Sequence, residues 1–182
     1  MDGTIFTSDI DWVLVKKRLN VTDTSLLEKI FGGDSIDRNA LSYLEEIEET
    51  NTLNCKPIPG SLEFLREISS TGIKTALVTN NSRKNAEYLI DKYNLKFDMT
   101  ISRDENMWKP SPSAFKFVMN KFNAKPENTI SIGDSDLDIS ASIKSDISDV
   151  YIIQDSNIKY DYPIKIKYFA DFQDLSSMIL SS

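Results

Sequence analysis

Asn128-Thr129-Ile130-Ser131-Ile132-Gly133-Asp134-Ser135-Asp136-Leu137-Asp138 is the stretch that decides the fold. An apolar run, a glycine and then alternating carboxylates mark a buried strand that turns directly into a helix. Short, largely apolar runs that end in small polar or acidic residues are how buried parallel strands deliver chemistry to one sheet edge. Asp134 and Asp138 lie four apart, so they fall on one face of the helix start and can point into one cleft. Acids crowded in this way are costly without a cation, and oxygen ligands suit a hard ion such as Mg2+. Part of the cluster also reads as simple N-capping, because negative charge is favoured at the amino end of a helix dipole.

Working outward, the same strand-to-turn pattern recurs. Lys74-Thr75-Ala76-Leu77-Val78 ends at Thr79-Asn80-Asn81-Ser82, and Phe97-Asp98-Met99-Thr100-Ile101 ends at Ser102-Arg103-Asp104. Asp149-Val150-Tyr151-Ile152-Ile153 ends at Gln154-Asp155. Helical spacing fills the intervals. Ser61 is expected as an N-cap ahead of Leu62, Leu65 and Ile68, with Gly72 as the stop. Ser82 is expected to cap a helix carrying Ala86, Leu89 and Ile90. Ser111-Pro112 starts a helix whose buried face is Phe115, Val118, Met119 and Phe122. Asp136 to Lys144 and Leu175 to Leu180 complete the set. Strands alternating with helices predict a three-layer α/β fold with a mostly parallel, Rossmann-like sheet, whose ligands bind beyond the carboxyl ends of the strands.

Residues 9–54 break this rhythm. They carry only helical periodicities, at Trp12–Leu19, Leu26–Phe31 and Ile36–Ile47, and end at the stiff Pro57-Ile58-Pro59-Gly60. They read as a small α-helical insertion, 9–54, in a core made of 1–8 and 55–182. Trp12 and Trp108 are expected to pack against neighbours.

Composition narrows the chemistry. The chain has 182 residues, enough for one α/β domain, and a formal charge of −7, which argues against a nucleic-acid partner. One cysteine, Cys55, makes no internal disulfide and fits a cytoplasmic location. No stretch reaches the roughly 18 consecutive apolar residues of a membrane span, so no membrane partner is expected. The sequence has no histidine, so proton transfer falls to carboxylates, lysine, tyrosine or water. Two further motifs suit an anion. Thr79-Asn80 offers a hydroxyl, an amide and backbone N–H groups at a strand end. Lys109-Pro110-Ser111-Pro112 holds an ammonium on a locally stiff loop. Singly, each is no more than a cap or a solvated lysine.

Taken with Met1-Asp2-Gly3-Thr4, these motifs resemble, in order, the four motifs of the haloacid dehalogenase superfamily of phosphohydrolases. Pro57–Ser61 resembles the re-entry from cap to core. Ala170-Asp171-Phe172 with Asp174-Leu175 resembles the closing strand and helix. The insertion stands where the phosphoglycolate phosphatase and β-phosphoglucomutase subgroup carries a helical cap. The resemblance implies an Mg2+-dependent phosphomonoester hydrolase that acts on a small phosphorylated metabolite through an aspartyl-phosphate. Asp2 would be the acid/base, with its main-chain carbonyl on the metal. Thr79 and Asn80 would hold phosphate, and Lys109 would balance charge. Asp134 would be the direct metal ligand and Asp138 the supporting acid, so Asp2, Asp134 and Asp138 together form the metal set.

The family's attacking aspartate corresponds to the position just before Met1, and the apolar strand that carries it would be cut short. Residues 1–182 alone are therefore expected to show no turnover. Other readings are a non-catalytic protein that binds phosphate, metal or a partner, or a sugar-phosphate mutase. The expected assembly is a monomer or a weak homodimer.

Overall fold

The computed structural model describes residues 1–22, 25–153 and 162–180. Three helices come first: α1 (Trp12–Arg18), α2 (Leu26–Phe31) and α3 (Arg38–Asn54). Each begins at a side-chain cap. Asp11 accepts from the N–H of Leu14, Ser25 from that of Glu28, and Asp37 from that of Ala40. These bonds satisfy donors that a helix start leaves open. The rest alternates: α4 (Ser61–Ser70), β1 (Ala76–Val78), α5 (Arg83–Tyr93), β2 (Met99–Ile101), α6 (Ser113–Phe122), β3 (Ile130–Gly133), α7 (Asp136–Ile143), β4 (Asp149–Ile153), β5 (Ile166–Phe169) and α8 (Phe172–Leu180).

Among the described residues every ladder is parallel, as expected for strands joined through helices. The strands form two sheets, β1–β2 and β3–β4–β5. Among the described residues no ladder joins β1 to β3. The amino-terminal residues do not bridge them, because they curl into a turn in which Thr4, Ile5 and Phe6 all donate to the carbonyl of Met1. Among the described residues their only sheet-like contacts are isolated bridges, Asp2 with Phe6 and Phe6 with Pro57. A cavity of about 380 Å3 lies between β1 and β3.

Apolar burial holds the layers together. Phe6, Leu77, Ala86 and Leu89 pack with Cys55 on the β1 side. Phe64, Ile68, Phe169, Phe172 and Leu175 join α4, β5 and α8, and Met119, Ile139, Val150 and Ile152 join α6, α7 and β4. A separate cluster of Leu27, Ile30, Ala40 and Leu44 holds α2 on α3, with Trp108 reaching in to stack against Phe31 at 5.4 Å.

Several local expectations change. The N-cap position of α4 is Gly60, in a left-handed conformation with φ of 81°. Ser61 is the first helical residue, and its hydroxyl donates to the carbonyl of Ile5 at 2.9 Å. It therefore ties α4 to the amino-terminal turn instead of capping the helix. On α6 the buried residues are Ala114 and Met119, while Phe115, Val118 and Phe122 line the cavity. Trp12 is exposed. The closing strand is Ile166–Phe169 and stops before Ala170. Gln154-Asp155, the expected end of β4, lie outside the described residues.

Candidate active site

The carboxyl ends of β1 and β3 meet around one lysine. Asn80, just past β1, grips the main chain of Lys109 from both sides. Its Oδ1 accepts the Lys109 N–H at 2.8 Å, and its Nδ2 donates to the Lys109 carbonyl at 2.9 Å. Lys109 is buried, and its Nζ reaches Asp138 Oδ1 at 2.6 Å. Asp138 in turn closes the start of α7. Its Oδ2 accepts from Ser135 Oγ at 2.6 Å and from the Ser135 N–H at 3.2 Å. The capping role foreseen for the acid cluster thus falls to Asp138, and the same carboxylate anchors the lysine. Burial pushes the Asp138 carboxyl up, but the ammonium of Lys109 and the bonds from Lys109 and Ser135 outweigh it and hold the group below the usual carboxylate range.

Asp134 precedes the helix and faces the amino-terminal turn. Its Oδ1 accepts from Thr4 Oγ1 at 2.6 Å. A Cβ added at Gly3, where φ is 73°, would meet Asp134 Oδ2 at 2.3 Å, so only glycine lets the turn come this close. Burial, and then the neighbouring Asp138, push the Asp134 carboxyl above its ordinary value. That is the direction expected of an acid placed where a cation would stabilise its charge.

Asp2 is held by two amides. Asn51 of α3 donates to its Oδ1 at 3.2 Å, and Asn81 donates to its Oδ2 at 3.0 Å. Both amides are themselves oriented. Asn51 Oδ1 accepts from the Asp9 N–H, and Asn81 Oδ1 accepts from the Ser82 N–H and from Asn85 Nδ2. Thr79 is buried, and its hydroxyl accepts the Asn81 N–H at 3.1 Å.

Sequence reasoning missed the second tether between α3 and this edge. Arg103 and Glu48 form a buried ion pair at 2.5 Å. The Arg103 guanidinium also donates to the Asn80 carbonyl at 3.3 Å, while its main-chain N–H donates to the Asn81 carbonyl at 3.2 Å. Burial raises the Glu48 carboxyl to about 7, even though Arg103 pulls it down. Here the desolvation of a fully enclosed acid exceeds the attraction of its partner.

Among the described residues no group of three or more acidic, cysteine or histidine side chains is gathered tightly enough to hold a metal by itself. An ion such as Mg2+ needs less than that. It keeps several waters and takes one or two carboxylates together with substrate oxygens. Asp134, with its carboxyl raised by burial, offers one such carboxylate, while both oxygens of Asp2 are engaged by Asn51 and Asn81 and Asp138 by Lys109.

The geometry defines a parallel α/β protein with a buried lysine, a hydroxyl–amide loop and carboxylates at one sheet edge. The chain belongs to the haloacid dehalogenase-like hydrolase family, whose model matches residues 7–152. A phosphoglycolate phosphatase from Aquifex aeolicus is 28% identical over 120 residues, which cover 64% of this chain and 56% of that protein. Pyrophosphatase PpaX from Halalkalibacterium halodurans is 34% identical over 88 residues, covering 46% of this chain and 40% of the relative. The chain spans about half the length of the curated relatives it matches.

Solved structures share the fold. A haloacid dehalogenase-like family hydrolase from Streptococcus pneumoniae superposes with a TM-score of 0.69 at 16% identity, covering 98% of this chain and 94% of that one. A family hydrolase from Deinococcus radiodurans, solved with bound phosphate and sodium, gives 0.68 at 15% identity, covering 100% and 93%. No helix among the described residues is long and apolar enough to cross a membrane.

Proposed function

We propose that the chain is a phosphatase scaffold whose site takes the phosphoryl group of a small phosphorylated metabolite together with Mg2+. The observation that carries this reading is the Lys109–Asp138 pair, clamped by Asn80 and flanked by Asp134. A buried ammonium fixed at a strand edge can neutralise a phosphoryl group as its charge redistributes. Asp134 and the main-chain carbonyl of Asp2 would hold the ion, which when bound would polarise the phosphoryl oxygens and shield their charge from the carboxylates. Thr79 donates its hydroxyl to a phosphate oxygen. Asn80 supports the same pocket through Lys109. Asp2, oriented by Asn51 and Asn81, gives a proton to the leaving oxygen and later takes one from water.

In this reading the reaction passes through an aspartyl-phosphate, as the resemblance to the family implies. Helices α1–α3 act as a small cap over the site and bear on substrate choice.

The test is calorimetry of residues 1–182 with inorganic phosphate and Mg2+, beside assays with p-nitrophenyl phosphate, phosphoglycolate, sugar phosphates and pyrophosphate. Phosphate and Mg2+ should bind each more tightly in the presence of the other. Lys109→Met should weaken phosphate, and Asp134→Asn should weaken Mg2+. Any turnover should require Mg2+ and fall on Asp134→Asn. Phosphate binding that ignores Mg2+ and survives Lys109→Met would overturn the site. Turnover that needs neither Mg2+ nor Asp134 would overturn the metal assignment.

A further inference from the structure

Among the described residues Arg103 is the largest side chain that the fold encloses, at 1% exposed, and it carries a full charge. Its main chain is fixed first. Arg103 begins a 3-10 turn, Arg103–Glu105, closed by Ser102 and Glu105 as a capping box and pinned by Arg83, which bonds to Glu105. From that base the guanidinium spans two elements. Its Nη1 donates to Glu48 Oε2 of α3 at 2.5 Å and to the main-chain carbonyl of Asn80 at 3.3 Å. The Arg103 N–H donates to the next carbonyl, that of Asn81, at 3.2 Å. Nη2 makes no hydrogen bond and lies 3.9 Å from the Glu45 carboxylate. A hydrocarbon side chain would fill this space without leaving a buried donor unmet, so stability alone does not account for an arginine here.

We propose that Arg103 is a positioning residue of the phosphate site: anchored on α3 by Glu48, it fixes the main chain of Asn80, whose side chain in turn holds Lys109. This inference deepens the phosphatase reading and rests on it for the identity of the ligand.

The contacts run in one order. The enclosed guanidinium is out of reach of a ligand, so whatever it does for the site it does through Asn80. That residue faces both ways: its carbonyl meets Arg103, and its side-chain amide brackets the N–H and the carbonyl of Lys109. The peptide joining Asn80 to Asn81 is held from its other edge too, because the Asn81 N–H donates to Thr79 Oγ1 at 3.1 Å. Turning that peptide would shift the lysine and the hydroxyl together, and a binding site tolerates only about 0.5 Å of such movement. The chemistry also selects the residue type. A planar guanidinium can donate to a carboxylate and a carbonyl at once in a fixed geometry, whereas the compact ammonium of a lysine, on its flexible stem, would settle on the carboxylate.

The experiment replaces the ion pair by hydrocarbon of similar volume, Arg103→Met with Glu48→Leu, in residues 1–182. Such an exchange leaves stability near its starting value, so Tm should stay within about 5 °C of the wild type. Two readouts report on the site. One is exchange of the Lys109 ammonium protons with water, followed by 15N NMR, which needs no ligand. The other is Kd for inorganic phosphate in the presence of Mg2+, from calorimetry. Ammonium exchange should quicken and Kd should rise, each by about tenfold, the coupling expected of residues that share a partner. Arg103→Lys keeps a charge against Glu48 but gives up the planar fork. It should produce the same changes, and it carries the test if the double variant does not fold. With Asn80→Ala already present, replacing the pair should alter ammonium exchange by less than about twofold, because the link is already cut. A folded double variant with both readouts within about twofold of the wild type overturns the proposal. So does a full tenfold change in the Asn80→Ala background, since Arg103 would then act by another route. A wild type that binds no phosphate removes the phosphatase reading, and ammonium exchange alone then upholds or overturns the positioning of Lys109.

Discussion

Replacing Glu48 by glutamine isolates the most exposed assumption about the α3 tether. Glu48 is 4% exposed and sits against Arg103, with Glu45 and Asp2 as the other charges that act on it. Burial lifts its carboxyl from 4.5 to about 7 despite Arg103. A folded-state value above the unfolded one means that the fold binds the proton more tightly than the open chain does. The resulting stability is complete below about pH 4.5 and is lost as pH rises through 7. At about 1.4 kcal/mol per tenfold, this rise weakens the protein by about 3 kcal/mol across that window.

Glutamine keeps an acceptor for Arg103 and cannot ionise, so Glu48→Gln should match the wild type near pH 4.5. Above pH 7.5 the variant should exceed it by up to about 3 kcal/mol, roughly 10 °C in Tm for a chain of this size. The assay is urea unfolding of both proteins from pH 4.5 to 8.5, read as the difference between them, which cancels every other titrating group. If the ion pair instead outweighs desolvation, the difference reverses sign and the variant is weaker above pH 5. That result would refute the argument that burial dominates at this contact.

Three further substitutions probe neighbouring parts of the site and fold. Lys109→Met leaves Asp138 buried and unpaired, with side chains 10% and 5% exposed in the intact pair, and should lower unfolding free energy by about 3–5 kcal/mol. Adding Asp138→Asn, which can still cap Ser135, should restore part of that loss, and a single variant within about 1 kcal/mol of wild type in urea would contradict the pairing. Gly60→Ala puts a Cβ 3.1 Å from that of Phe172 at a φ of 81° and should cost about 1–3 kcal/mol, so a neutral result in thermal unfolding would dismiss the left-handed turn before α4.

What the sequence disclosed, and what it hid, follows from the range of each interaction. Strand β4 is the apolar run Asp149–Ile153 itself, and Ser82 caps α5 through Asn85, three residues on. Both are local patterns. The Gly60–Ser61 boundary misled because a serine after a glycine looks like a cap, while the partner that claims its hydroxyl, Ile5, lies 56 residues away. The division of the described strands into two sheets stayed hidden because each apolar run reports its own extension and not which edge it pairs with.

The α3 tether has a trace in the sequence. Ala40, Leu44, Glu48 and Asn51 are all buried and succeed one another at helical spacing. The apolar stripe that packs on α2 therefore turns polar without turning outward. A stripe that changes chemistry while staying on one face must change its partner as well. Here the partner changes from Leu27 and Ile30 to Arg103 and Asp2. Glu48 and Asn51 thus mark where α3 leaves its own small core and meets the site. The same reading explains why the pair is an acid and an amide, the first to match a buried guanidinium and the second to donate to a carboxylate.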